Sequence, residues 1–562
     1  MKTHCKKNVL ALALAALAQS ALAQQPPSAG SQLQSIPSQP TAPRAAPAFM
    51  IEPRPAAGAG VASPASDQVR IAVKSLRITG AQRFSEAELL TITGFTPGSE
   101  LMLSDLQQMA DRITAYYRRN GYFVAQAFLP AQNIVDNTVT IAVTEGRYGS
   151  VTLDNQAGLP GAWSAHALDG VRSGEPITSE PLETRLLLLS DLPGVNVRSS
   201  LVPGTAPGTS DLLVNVTPGR RVSGSVDADN GGSRYTGEYR LGATINLNNP
   251  LGLGDVASLR LLTSGSGLNY ARASYQLQVG KGQVGVAYSA LNYKLGREFA
   301  PLQAHGTSRV ASVFGRYPLL RSRDDNVYAQ IEYGAKTFQD RVDSIPAVTD
   351  KQAGVVLASL YGDHRDTLGG LGLNAWSLSL SSGNIDIQTP AARAADAATA
   401  RSNGHFNKLG FSAMRLQTLG GPFSAYGSIS GQVASKNLDV SEKMSLGGMN
   451  AVRAYPEGEA YADEGVVVTL EGRMLLTGLS QRVPGQVQLV AFVDAGTAIR
   501  DKNQWAPGVN RRTLYGAGVG LNWSEPGDFL VRVSYARRLG SEPATSAPDK
   551  SGRFWIQGIK YF

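Results

Sequence analysis

The sequence predicts a mainly β protein: a transmembrane antiparallel β-barrel of about sixteen strands preceded by two small α+β units. Three observations predict it. After Pro218 helical periodicity stops, and segments of roughly ten residues alternate apolar with polar, as strands do when one face meets lipid and the other a lumen. The connections between these segments alternate short and long. No later stretch approaches the roughly 18 uninterrupted apolar residues of a transmembrane helix, so a membrane crossing here must be made by strands.

Taken in order, the chain begins with Lys2, Lys6 and Lys7, an apolar run from Val9 to Ala18, and Ala21-Leu22-Ala23 before Gln24. A charged start, a short apolar core and a small-residue cleavage site make residues 1–23 a secretory signal peptide. Its removal takes away Cys5, the one cysteine of the 562 residues, so neither disulfides nor Cys-ligated metals are expected in the mature chain. Residues 24–70 are dominated by Pro, Ala, Gln and Ser, a composition expected to form a flexible tether. The formal charge of +8 is spread along the chain, which gives no case for a nucleic-acid partner.

Residues 71–147 read as strand, helix, helix, strand, strand. Ser104 and Gln107 predict a capping box, Leu106, Met109, Ile113 and Tyr117 form one apolar face, and Asn120-Gly121 stops the helix. Residues 148–218 repeat the plan, with a helix through the Leu186–Leu189 run and strands at Val195–Val202 and Leu212–Val216. Residues 219–562 form the barrel. In the segment from Gln486 to Asp494, Val487, Leu489, Ala491 and Val493 share one face, and Gln488, Val490, Phe492 and Asp494 share the other.

Tight connections at 249–255, 280–282, 420–421 and 524–528 alternate with long ones at 297–308, 387–405, 441–464 and 541–551, as periplasmic turns alternate with external loops. The loop Ser445–Glu464 falls between the eleventh and twelfth strands. It carries Arg453, and about thirty residues later an inward-facing Asp494 follows in Phe492-Val493-Asp494-Ala495-Gly496. One reading is that the loop folds back into the barrel and is held there by Arg453 and Asp494. The other is an arginine that stays solvated in an external loop.

Other signals carry less. Residues 252–257 match a dinucleotide fingerprint but no helix follows, and a turn explains them. His166, His305, His364 and His405 have no metal-ligand spacing, and no nucleophile elbow or phosphate loop stands in a fitting context, so no catalytic residue, cofactor or metal is expected.

With these residues in view, the chain from Ile71 to Phe562 resembles the TpsB outer-membrane transporters of two-partner secretion. LGGMNAVRAY is similar to the family's loop motif, FVDAG to its partner strand motif, and the two α+β units to POTRA domains. The resemblance implies a bacterial outer-membrane pore, with POTRA-like domains in the periplasm, that exports a large adhesin- or haemolysin-like exoprotein. It further implies that Arg453 and Asp494 fix the loop inside the pore, that Phe492 and Tyr455 pack around the pair, that Val452 and Ala454 belong to the same loop motif, and that Phe562 is read by the barrel-assembly machinery, with outer-membrane lipid outside. A barrel-assembly insertase and a passive porin are the alternatives. Ala454 stands where the family usually has Gly, and a positive φ there would be strained. The family often begins with a plug helix, which the prolines of residues 24–67 argue against here.

Overall fold

The structure is a computed structural model, which describes residues 26–40, 48–51, 70–161 and 166–562. The expected signal peptide lies outside the described residues, as do most of residues 41–69.

The first α+β unit comprises β2 (Ile71–Val73), β3 (Ser75–Thr79), α2 (Glu86–Thr93), β4 (Ser99–Leu101), α3 (Leu103–Arg119), β5 (Gln126–Phe128) and β6 (Thr138–Thr144); α1 and β1 precede it and are described below. Its central sheet runs β3-β6-β5. Helix α3 buries Leu106, Met109, Ile113 and Tyr117, the face its spacing predicts. It starts one residue before Ser104, because the Asp105 carboxylate accepts from the Met102 backbone N–H at 2.8 Å and takes over the capping role assigned to Ser104 and Gln107. Tyr117 is fully buried, edge-on to Phe84 and Tyr122, and donates at 3.0 Å to Glu145. Glu145 also receives the backbone N–H groups of Gln82 and Arg83. Burial, reinforced by Glu145, pushes the Tyr117 phenol well above its ordinary pKa.

The second unit comprises β7 (Arg147–Asn155), α4 (Ser179–Ser190), β8 (Val195–Pro203) and β9 (Thr209–Pro218). Its leucines Leu182, Leu186 and Leu189 pack under the sheet. Helix α4 docks on the barrel: Asp191 takes a two-pronged ion pair from Arg321 at 2.7 and 2.9 Å, and Arg323 reaches Glu183 at 3.3 Å.

Sixteen consecutive antiparallel strands, β10 (Val222–Asp229) to β25 (Gly552–Tyr561), close into the expected barrel, and β10 pairs with β25 from Ser225↔Tyr561 to Asp229↔Gln557. Closure removes both sheet edges, so every strand is satisfied on two sides within lipid. Leu259 and Leu261, Val284, Val286 and Tyr288, and Trp376, Leu378 and Leu380 point outward at period two as an exposed apolar belt. Inside lie charges paired along the wall, such as Arg260 with Asp227, two strands away, at 2.7 Å.

The amino-terminal segment departs from the expected tether. Residues Ala29–Gln34 form a helix, α1, inside the barrel, where Ala29 is fully buried among lumen-facing side chains of its wall. The Ala29 N–H donates to Asp340 at 2.8 Å, Thr236 donates to Gln32 at 2.7 Å, and Arg240 donates to the Ser35 carbonyl at 2.8 Å. The prolines flank this helix instead of interrupting it: Pro26 and Pro27 precede it and Pro37 follows, leaving a proline-free run from Ser28 to Ile36. Small residues let it lie close to the long loop 441–464, where a Cβ at Gly30 would sit 2.8 Å from that of Ser441. Further on, β1 (Ala48–Ile51) adds in parallel to the edge strand β8 of the second unit.

Truncating Tyr117 removes a fully buried aromatic ring, a change that costs about 3–5 kcal/mol. Tyr117→Ala is therefore expected to make residues 71–146 protease-sensitive in the intact protein while the barrel keeps its heat-modifiable mobility. Unchanged digestion would contradict this packing account.

Candidate functional site

The long connection between β20 (Phe423–Ala434) and β21 (Glu464–Leu475) turns back into the lumen. Its descending arm is drawn to the inner wall by ion pairs: Glu442 with Lys336 at 2.6 Å and Lys408 at 2.8 Å, and Asp439 with Lys351 at 2.7 Å. Met444 and Ala462 then exchange backbone hydrogen bonds, closing a stem below which residues 446–459 form a compact tip. The tip carries Arg453.

Strand β22 (Gln486–Ile499) places Phe492 and Asp494 on the lumen face, as strand alternation predicts. Arg453 donates from Nε and Nη2 to the two oxygens of Asp494 at 2.9 and 2.8 Å, and its backbone N–H donates to the same carboxylate at 3.1 Å. Its remaining Nη1 donates to Glu471 at 2.8 Å, and the guanidinium carbon lies 3.4 Å from the centre of the Phe492 ring. Asp494 is fully buried and accepts a further bond from Thr469, Arg473 balances Glu471, and the Trp555 indole donates to the Arg453 carbonyl at 2.7 Å. Two cations thus face two anions largely out of water, and pairing is the condition under which a buried charge is tolerated.

The strands also leave space for the tip. On β23 (Arg511–Glu525), Gly516 and Gly518 repeat at period two on the lumen face. A Cβ at Gly516 would meet the Ala454 Cβ at 2.6 Å, and one at Gly518 would meet the Phe492 ring at 2.5 Å. Val452 packs over Gly496, and Tyr455 is fully buried, its hydroxyl donating to the Glu542 carbonyl at 2.9 Å. Ala454 has no left-handed backbone, so alanine is accommodated there without strain; its methyl group is matched by the missing side chain at position 516.

The structure therefore brings Val452, Arg453, Ala454, Tyr455, Phe492 and Asp494 into one cluster. Phe562 lies apart, at the barrel seam, where its backbone exchanges hydrogen bonds with Gly224 and its ring lies across that glycine. Sequence reasoning missed Glu471, Thr469 and Trp555, whose roles depend on the register that sets Glu471 opposite Phe492 and Thr469 opposite Asp494. The Gly516, Gly518 and Gly520 spacing was a legible sign of a bare inner wall.

Residues 208–523 match the family model described as haemolysin secretion/activation protein ShlB/FhaC/HecB, and residues 71–146 match the ShlB-type POTRA domain. A heme/hemopexin transporter protein, HuxB of Haemophilus influenzae, is 33% identical over 475 residues, covering 83% of this chain and 82% of its own. The chain belongs to this family of two-partner-secretion transporters. The outer membrane transporter CdiB of Dickeya dadantii is 25% identical over 75% of this chain and 74% of its own. The structure of CdiB from Escherichia coli shares the fold, with a TM-score of 0.64 over 91% of this chain and 93% of that one, at 22% identity. This transporter thus sits in the outer membrane with POTRA domains in the periplasm and exports a partner exoprotein through its barrel; members of the family are transporters, not enzymes.

The fit between Ala454 and Gly516 gives a two-step test. Gly516→Ala is expected to push the tip off the wall and expose it to protease added outside intact cells, and Ala454→Gly in the same chain is expected to restore protection. Protection unchanged in the single variant would contradict the contact.

Proposed function

We propose that the Arg453–Asp494 pair holds the long loop in the lumen as the resting state of an export pore, and that the exported chain passes unfolded through the same lumen once this arrangement yields. The observation that carries this reading is the geometry of Arg453: a charged side chain from a loop between two strands, bonded to three strands of the wall and fully engaged there. Val452, Ala454, Tyr455 and Phe492 shape its seat. The POTRA units capture an extended secretion signal in the periplasm, and folding of the exoprotein outside supplies the driving force without nucleotide chemistry in this chain.

In the same reading, residues 1–23 are the signal peptide, 24–70 the lumen helix with its connection, 71–147 and 148–218 the two POTRA units, and 219–562 the barrel. Outer-membrane lipid covers the exposed apolar belt. Phe562 marks the nascent chain for the barrel-assembly machinery, and no nucleic acid takes part. The family match favours export over an insertase or a passive porin.

Removing one member of a buried ion pair leaves the other unpaired at a cost of about 3–5 kcal/mol. Arg453→Ala and Asp494→Asn are each expected to impair secretion severely while heat-modifiable barrel accumulates normally. Arg453→Lys should fail nearly as badly, because one ammonium cannot reproduce a fork that serves Asp494 and Glu471 together. Normal secretion in all three variants would refute the role. Purified transporter in lipid vesicles should also move its partner without added energy, and failure to do so would count against folding as the driving force.

A further inference from the structure

Glu459 lies six residues beyond Arg453 in the same loop, is fully buried, and touches neither Asp494 nor Glu471. Its carboxylate instead collects donors from another part of the barrel's outer end. Oε1 accepts from Arg512 Nη1 at 2.6 Å and from the Thr545 hydroxyl at 2.6 Å; Oε2 accepts from the Ser546 N–H at 2.8 Å and the Ser546 hydroxyl at 2.6 Å; the Thr545 N–H lies within 3.0 Å of both. Arg512, on β23, also holds Glu542 at 2.8 Å and the Pro543 carbonyl at 2.8 Å.

Thr545 and Ser546 belong to residues 541–551, the last external loop, which joins β24 (Phe529–Leu539) to β25. No residue of that loop is buried, so little apolar burial can hold it in place. Its position depends on polar attachments, and two come from fully buried side chains of the inserted loop: the Tyr455 hydroxyl, which meets one carbonyl, and Glu459, whose carboxylate gathers the cluster of donors. A carboxylate met by two backbone N–H groups, two hydroxyls and a guanidinium is a strong, charge-assisted anchor, and it is made between two loops that strand pairing leaves free.

We propose that Glu459 is a latch that fastens the last external loop onto the lumen-inserted loop, so that the two close the outer mouth of the pore as one lid. It is a positioning residue, acting through Thr545, Ser546 and Arg512. Releasing it frees the outer loop while Arg453 stays seated on Asp494, so the outer mouth opens without loss of the inner pair.

The test uses full-length protein. Glu459→Gln keeps the size of the side chain but sets an amide N–H₂ against the N–H and O–H donors of the outer loop. Planar-bilayer conductance of this variant should rise clearly above that of the unmodified protein. Thiol labelling from outside the cell at Ala547→Cys should accelerate about tenfold, the scale of one lost charge-assisted hydrogen bond. Labelling at Asn450→Cys, on the inserted tip, should stay unchanged. A second variant, with residues 542–550 replaced by a short Gly-Ser turn, should show the same conductance gain, and combining it with Glu459→Gln should add nothing further. Unchanged conductance in the shortened variant, an additive combination, or equal acceleration at both labelling positions would each overturn the latch. These readouts need only a pore, so they can fail while the export reading stands, and the secretion assays of Arg453 and Asp494 can fail while the latch stands.

Discussion

A guanidinium carried into a protein wall must be met there by carboxylates, and the inner face of this barrel is arranged around that need. Arg453 reaches the wall on a loop that no strand pairing holds, so its seat is built from residues far apart in sequence: Asp494 and Phe492 on one strand, Glu471 and Thr469 on the next, and Trp555 on the last. Closure of the barrel brings the sixteenth strand near the thirteenth and twelfth, and so brings Trp555 to the same point. Without the closed barrel the seat does not exist.

Volume imposes the second condition. A loop tip can reach a barrel wall only where the wall has no side chains in the way, and Gly496, Gly516 and Gly518 clear that area for Val452, Ala454 and Phe492. Charge selects the position and the glycines admit the backbone. Above the tip, lysines on the wall hold the arm that leads in, and Glu459 joins the loop to the outer mouth. Beside it lies α1, anchored by Asp340, Thr236 and Arg240, so loop and helix fill the lumen together.

Much of this was legible in the sequence because strand periodicity and turn length are local properties. The alternation around Asp494 fixed its inward face, and the alternating loop lengths placed Arg453 on the external side. Glu471 and Thr469 were not legible, because their approach to Arg453 depends on the register between neighbouring strands. The cap of α3 was misplaced by two residues, Met102 taking the place expected of Ser104, since Asp105 competes with Ser104 and a carboxylate accepts more strongly from the free N–H groups of a helix start. The helix α1 was missed for a different reason: averaging proline over residues 24–67 hid a proline-free run whose helix packs against the barrel wall and the inserted loop, contacts far away in sequence.

The central claim, that Arg453 and Asp494 keep the loop tip inside the barrel, is tested most directly by a distance. Spin labels at Asn450→Cys in the tip and Pro526→Cys in a periplasmic turn, in protein with Cys5 replaced by Ser, report how deep the tip sits. A single narrow distance distribution in the unmodified pair, replaced by a broad and longer one when Asp494 is Asn, is the result expected. Identical narrow distributions in both would show that the loop stays in the lumen without this pair, and would contradict the account.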